Sequence, residues 1–148
     1  LLQRPFASDL RKISAALKMI SDMERIGDQA SDIADMVPYI RFSEAKSKVH
    51  IEAMAKATVK MVTDSVDAFV QDDLDLAQRV IDSDDEVDDL FNRVKNELID
   101  LIYAKDIDAK VALDLLMTAK YYERIGDHAV NIAEWVVYSI TGVHKSNE

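Results

Sequence analysis

The sequence predicts an all-α protein, a bundle of antiparallel helices containing an internal repeat, and three observations carry that prediction. Only three glycines and two prolines interrupt 148 residues, so helices can run long. Apolar residues make up 49% of the chain, and they recur at three- and four-residue steps instead of alternating, which is the helical period. One five-residue phrase occurs twice, as Glu24-Arg25-Ile26-Gly27-Asp28 and, ninety-nine residues later, as Glu123-Arg124-Ile125-Gly126-Asp127. At the same offset Ala30 matches Ala129, Ile33-Ala34 matches Ile132-Ala133, Val37 matches Val136 and Tyr39 matches Tyr138. A supersecondary unit is therefore repeated.

The first helix is expected over roughly residues 5 to 38, with Pro5 in its first turn, where a missing N–H costs nothing, and Pro38 ending it. Its apolar stripe is Phe6, Leu10, Ile13, Leu17, Ile20, Gly27, Ala30, Ala34 and Val37. A second helix over about 44 to 71 turns His50, Met54, Ala57, Met61, Ser65 and Phe69 inward, with methionines filling gaps. The acidic turn Asp72-Asp73 leads to a third helix over about 74 to 103, with Ala77, Val80, Val87, Leu90, Phe91, Val94, Leu98 and Leu101 inward. Ser83 followed by Glu86 fits a capping box, but the apolar spacing runs through it, so continuity is expected. Asp106 or Asp108 caps the fourth helix, which runs to about Thr141 and ends at Gly142; His144 to Glu148 is expected to fray. Leu1-Leu2-Gln3-Arg4 lacks an initiator Met and reads as the tail of a helix. A chain that begins inside a larger protein is expected.

Composition narrows the function. With 18 Lys and Arg against 28 Asp and Glu the formal charge is −10, which excludes a basic face for nucleic acid and opposes an anionic lipid surface. The absence of cysteine removes disulfides and thiolate metal sites and is compatible with the cytoplasm. No apolar run approaches the ~18 residues of a membrane span, and no signal peptide is visible.

The repeated phrase aligns acids. Glu123, Asp127 and Asn131 form one four-residue row, and Glu24, Asp28 and Asp32 form its counterpart. Side chains at i and i+4 stand one above the other, ~6 Å apart. If the third and fourth helices close a hairpin near Lys105 and Asp106, residues whose numbers sum to about 211 lie level. That places Asp88 beside Glu123 and Asp84 beside Asp127. Four carboxylates at close range repel, and a hard or borderline cation (Mg, Mn, Fe or Zn) relieves the repulsion, with Asn131 offering a neutral oxygen one turn on. Surface ion pairs with Arg25, Arg93 and Arg124 are the other way to hold these acids, and spacing leaves both open. A ferritin-like di-iron site would need Glu-x-x-His on two helices, and none of His50, His128 or His144 has Glu three residues before it. No nucleophile, histidine base or phosphate-cradling glycine loop speaks for a hydrolase, so the chain is not expected to be an enzyme.

Pro5-x-Ala7-x-Asp9-Leu10-Arg11 leading to Glu24-Arg25-Ile26-Gly27-Asp28, the Asp84-x-x-x-Asp88 stretch, and Glu123 to Tyr138 with Gly142 close behind together resemble the PhoU family of regulators of bacterial phosphate uptake. The resemblance covers nearly the whole chain. It implies two three-helix bundles related by the repeat, each with a metal site made from paired Glu/Asp-x-x-x-Asp motifs. Residues 1–41 would then be the third helix of an incomplete first repeat, lacking the first two helices, and residues 42–148 a complete second repeat. The implied metal ligands are Asp84, Asp88, Glu123, Asp127 and Asn131 in the second repeat and Glu24, Asp28 and Asp32 in the first. The implied function is a cytoplasmic, metal-binding negative regulator that couples a phosphate ABC transporter, through its ATPase subunit, to a sensor histidine kinase. Helix one, with a full apolar stripe and no bundle partners, implies a homodimer or covering N-terminal residues. A helical interaction module without metal is the alternative function, and a carboxylate-bridged metallohydrolase the third.

Overall fold

The structure, a computed structural model, describes residues 3–41 and 43–144. It is all-α, and among the described residues there is no strand. α1 spans Gln3–Ile40, α2 Ile51–Gln71, α3 Leu74–Asp82, α4 Asp84–Tyr103 and α5 Ala109–Thr141, with a 3-10 turn at Glu44–Lys48 before α2. α3 and α4 form one bent arm, so four helical arms make the bundle.

The helix ends follow from local chemistry. Asp72 closes α2 in the left-handed region at φ 50°, a conformation that Asp tolerates better than most residues. Asp73 then opens α3, its carboxylate accepting the Leu76 N–H at 3.0 Å. Asp108 caps α5 by accepting the Lys110 N–H at 2.8 Å, which decides between the two expected caps. Gly142 ends α5 at φ 80°, and its N–H bonds back to the Tyr138 carbonyl at 2.8 Å.

Four expectations about these elements are corrected. The third helix is not continuous: α3 ends at Asp82 and α4 begins at Asp84, and between them the Ser83 hydroxyl donates to the Arg79 carbonyl at 2.8 Å and provides no cap for α4. Apolar periodicity survives the break because Ser83 keeps helical angles (φ −73°, ψ −9°), so a period cannot report it. Pro38 does not stop α1, which continues to Ile40; proline removes only its own N–H bond, and Arg41 still donates to Val37 at 3.0 Å. The second helix begins at Ile51 and not at 44, since residues 44–48 wind as 3-10. His144 is not frayed: it is buried and its ring stacks on Trp135 with centroids 4.0 Å apart. Residues 145–148, expected to fray with it, lie outside the described residues, as do Leu1 and Leu2.

α5 is the axis of the fold. Leu115, Ala119, Ala129, Ile132, Ala133 and Val136 are fully buried along it, with α2, α3, α4 and α1 all packed on it. Small residues let the arms approach: Gly126 lies where an added Cβ would sit 3.5 Å from Val87 and 3.8 Å from Met61 and Thr58. The polar residues in this core satisfy themselves on their own helices, Thr58 donating to the Met54 carbonyl at 2.9 Å and Thr118 to Asp114 at 2.8 Å. α4 is also clamped to the start of α2, where Glu97 accepts the His50 N–H at 3.2 Å and lies 2.8 Å from its ring Nδ1.

α1 runs antiparallel to α5. Tyr39 meets Lys110 at one end, Asp22 meets His128 and Asn131 midway, and Arg11 covers Gly142 at the other end. The face it docks is not the stripe expected from the sequence. Ala15, Met19 and Ile40 are buried and Ile26 is half-buried against the core, while Phe6, Leu10, Ile13, Leu17 and Ile20 stay exposed. α1 has two apolar faces, and the richer one points away from α5. Ile13, Ile20 and Val37 are the repeat counterparts of Ala112, Ala119 and Val136, which α5 buries completely or nearly so.

Candidate functional site

The candidate site is the acid cluster on the α4–α5 hairpin. Asp84 and Asp88 stand one turn apart at the start of α4, where carboxylates also suit the positive end of the helix dipole. Glu123 and Asp127 stand one turn apart in the middle of α5. The level pairing expected from the hairpin holds electrostatically. Partial burial, then the charges of Asp84 and Glu123, push the Asp88 carboxyl above the usual range. Desolvation, then Asp84, Glu123 and Asp88, push Asp127 up as well, against an opposing pull from Lys120. Asp127 retains open access to solvent while part of its hydration shell is displaced. Tyr122, one residue before Glu123, is raised by burial alone.

One cation already sits in the cluster. The Lys120 ammonium is 2.5 Å from Glu123 Oε1 and 5.3 Å from the centre of the Phe91 ring. It stands where the sequence suggested arginine: among the described residues, Arg124 lies 6.0 Å from the Tyr121 ring centre instead. Lys120 was missed because it lies off the four-residue acid row, although Lys at i and Glu at i+3 is a helical neighbour pair.

The other expected ligands lie elsewhere. Asn131 turns to α1, its amide donating to Asp22 Oδ1 at 3.2 Å, beside His128 Nδ1 at 3.0 Å from the same oxygen. Glu24, Asp28 and Asp32 are all exposed along α1, and α1 packs chiefly on α5. Among the described residues the first-repeat row thus has no second acid pair facing it comparable with Asp84 and Asp88.

The donor chemistry of the hairpin cluster fits a hard cation, because Asp88 and Asp127, whose proton affinity is raised by burial and by the neighbouring carboxylates, gain most from a positive charge. The side chains are not drawn into a cage, however: among the described residues no three His, Asp or Glu groups converge closely enough to hold an ion. A cation would bind by replacing Lys120 and drawing the four groups in.

The PhoU domain family matches residues 1–37 and 51–136, spanning both copies of the repeated phrase. The chain belongs to the PhoU family. It is 37% identical over 143 residues to a phosphate-specific transport system accessory protein PhoU homolog of Clostridium acetobutylicum, covering 95% of this chain and 65% of that protein. PhoU homolog 1 of Thermotoga maritima is 35% identical over 140 residues, covering 93% of this chain and 60% of its own length. The crystal structure of PhoU from Pseudomonas aeruginosa superposes with a TM-score of 0.81 at 33% identity, over 93% of this chain and 66% of that one. The phosphate transport system regulatory protein PhoU from Streptococcus pneumoniae gives the same TM-score at 26% identity. The chain thus spans under two thirds of the length of these two relatives. No helix among the described residues is long and apolar enough to cross a membrane.

Proposed function

We propose that this PhoU chain acts as a regulatory accessory of phosphate transport, with its hairpin acids as a divalent or ferric metal site. The observation that carries the proposal is the acid cluster of Asp84, Asp88, Glu123 and Asp127, all four within the stretch 51–136 that the PhoU domain family matches. Relatives are named as accessory proteins of the phosphate-specific transport system, so the partners proposed are the ATPase subunit of that transporter and a cytoplasmic sensor histidine kinase domain. Their communication would keep the starvation response off when phosphate is plentiful. No reaction is assigned to the chain.

The reading has two separable tests. Protein purified without chelator is expected to contain Fe, Zn, Mn or Mg by elemental analysis, with the content falling in Asp127→Asn. Protein that holds no metal, and whose melting does not respond to these ions, removes the metal half. Pull-downs against the kinase and the ATPase subunit address the regulatory half, and retention of neither, with or without metal, defeats it.

We also propose that residues 1–41 are the last helix of a first repeat. The basis is the set of exposed α1 residues whose repeat counterparts are buried in α5. That face receives a second copy of this chain in a homodimer, for which the test is given at the scale of the whole molecule below.

A further inference from the structure

The acid cluster is one end of a longer surface. On α4 Asp84, Asp88, Phe91, Lys95, Ile99 and Ile102 follow one another at three- and four-residue steps, and on α5 Asp127, Glu123, Lys120, Leu116, Leu113 and Ala109 do so in reverse. Such series stay on one face of a helix. Because the helices are antiparallel, the two rows line a single groove on the outside of the hairpin. Its first rungs are carboxylates, its middle rung is Lys120 over Phe91, and its far end is a cleft of about 230 Å³ lined by Lys95, Leu98, Ile99, Ile102, Leu113 and Leu116. From Asp84 to Ile102 the groove runs about 27 Å at ~1.5 Å per residue, the length of a five-turn helix.

The apolar end is not explained by the bundle. α4 and α5 are packed together and line it, yet Leu113 is 63% exposed and Ile102 51%. The core is filled from the opposite side of the same helices, by Val94 and Leu115.

We propose that this groove docks one amphipathic helix of a partner protein, whose aliphatic side chains enter the cleft and whose basic side chains, several turns away, meet Asp84, Asp88 and Asp127. Charge complementarity selects this occupant. Four carboxylates line one end, the ammonium groups of Lys120 and Lys95 stand at the middle and far end, and the chain as a whole carries −10, so a cationic segment is drawn in and oriented with its basic end at the carboxylates. Apolar burial at the other end supplies the affinity, as in other helix-in-groove recognition. A second copy of this chain fits less well, since it would bring its own excess of acids to these. The inference deepens the regulatory reading by naming the surface through which a partner is held; it does not require metal, and a metal ion on Asp84, Asp88, Glu123 and Asp127 would compete with the partner's basic side chains for the same carboxylates.

Anisotropy titrations of the full chain with three labelled 18-residue helical peptides test it. One carries Leu at i, i+3, i+4 and i+7 near one end and Lys at the other; the second has Glu for Lys; the third has Ser for Leu. The first is expected to bind at least tenfold more tightly than either control, and at least tenfold more weakly to the double variant Ile102→Ser, Leu113→Ser. Both residues are exposed, so unchanged circular dichroism is expected to confirm the fold. Equal binding of the three peptides, no binding of the first at millimolar concentration, or indifference to the double variant overturns the proposal. So does light scattering in which the double variant dissolves a dimer, because the groove then belongs to a second copy. Peptide binding by a chain that retains no metal removes the metal site alone, and peptide binding without retention of kinase or ATPase subunit removes those two partners alone.

Discussion

Gly142 and Gly27 put opposite demands on a side chain. Gly142 sits at φ 80° with the Arg11 guanidinium 3.7 Å from where a Cβ would be, and left-handed backbone costs a non-glycine residue ~1 to 2 kcal/mol. Gly27 is mid-helix and a Cβ there would meet nothing within 4 Å. Urea denaturation is therefore expected to show Gly142→Ala losing ~1 kcal/mol or more and Gly27→Ala gaining up to ~1 kcal/mol, the ordinary helix-propensity difference. A loss at Gly27 would mean that the outer face of α1 is covered in solution. Asp127 gives a pH test. Its folded-state pKa is raised above the ordinary value of 3.8, by desolvation first and then by Asp84, Glu123 and Asp88, so the fold prefers the neutral acid; the associated stability is present below 3.8 and is lost as pH rises through the elevated value. Asp127→Asn is expected to stabilise the metal-free chain at neutral pH, and the gain to vanish in acid below the ordinary carboxylate range. With a divalent ion present the same substitution is expected to become destabilising, which reverses the sign in thermal melts.

At the scale of elements, the α4–α5 hairpin shows why the acid pairing was legible in advance. A tight antiparallel turn fixes the height of every residue by counting, and the mutual influence of Asp84, Asp88, Glu123 and Asp127 follows that count. The bend at Ser83 was not legible, because the choice between a continuous helix and one hydroxyl bonding back to Arg79 is a local competition that apolar spacing does not register. Glu97 illustrates the same limit. Nothing in its sequence position marks it, yet it holds both the backbone and the ring of His50 at the start of α2. Glu97→Ala is expected to cost ~1 to 2 kcal/mol by removing a cap and a half-buried polar contact, measured from denaturant midpoints at neutral pH. A change within error would show that water replaces the carboxylate fully.

For the whole molecule, the decisive feature is the outer face of α1. Phe6, Leu10, Ile13, Leu17 and Ile20 are all between 49 and 69% exposed, and burying one such side chain is worth ~1.5 to 3 kcal/mol. A face of this size is rarely left to water. Light scattering of the chain at micromolar concentration is expected to give a dimer or larger species, and Leu10→Asp with Leu17→Asp to shift it to monomer. A monomeric unmodified chain would remove the homodimer and leave the face open to other helices.

The sequence by itself determined the helical class, the repeat, the end of α5 at Gly142 and its start to within Asp106 or Asp108, and the acid rows, because each is set by residues within one or two turns of one another or by counting across one short turn. The tertiary structure decided which of the two apolar faces of α1 meets α5, since both have helical period and only the mutual fit of long helices distinguishes them. It also decided that Asn131 bonds to Asp22, 109 residues away, and that Lys120 neutralises Glu123. Such choices depend on which side chains are brought into range by packing, and local spacing carries no record of that.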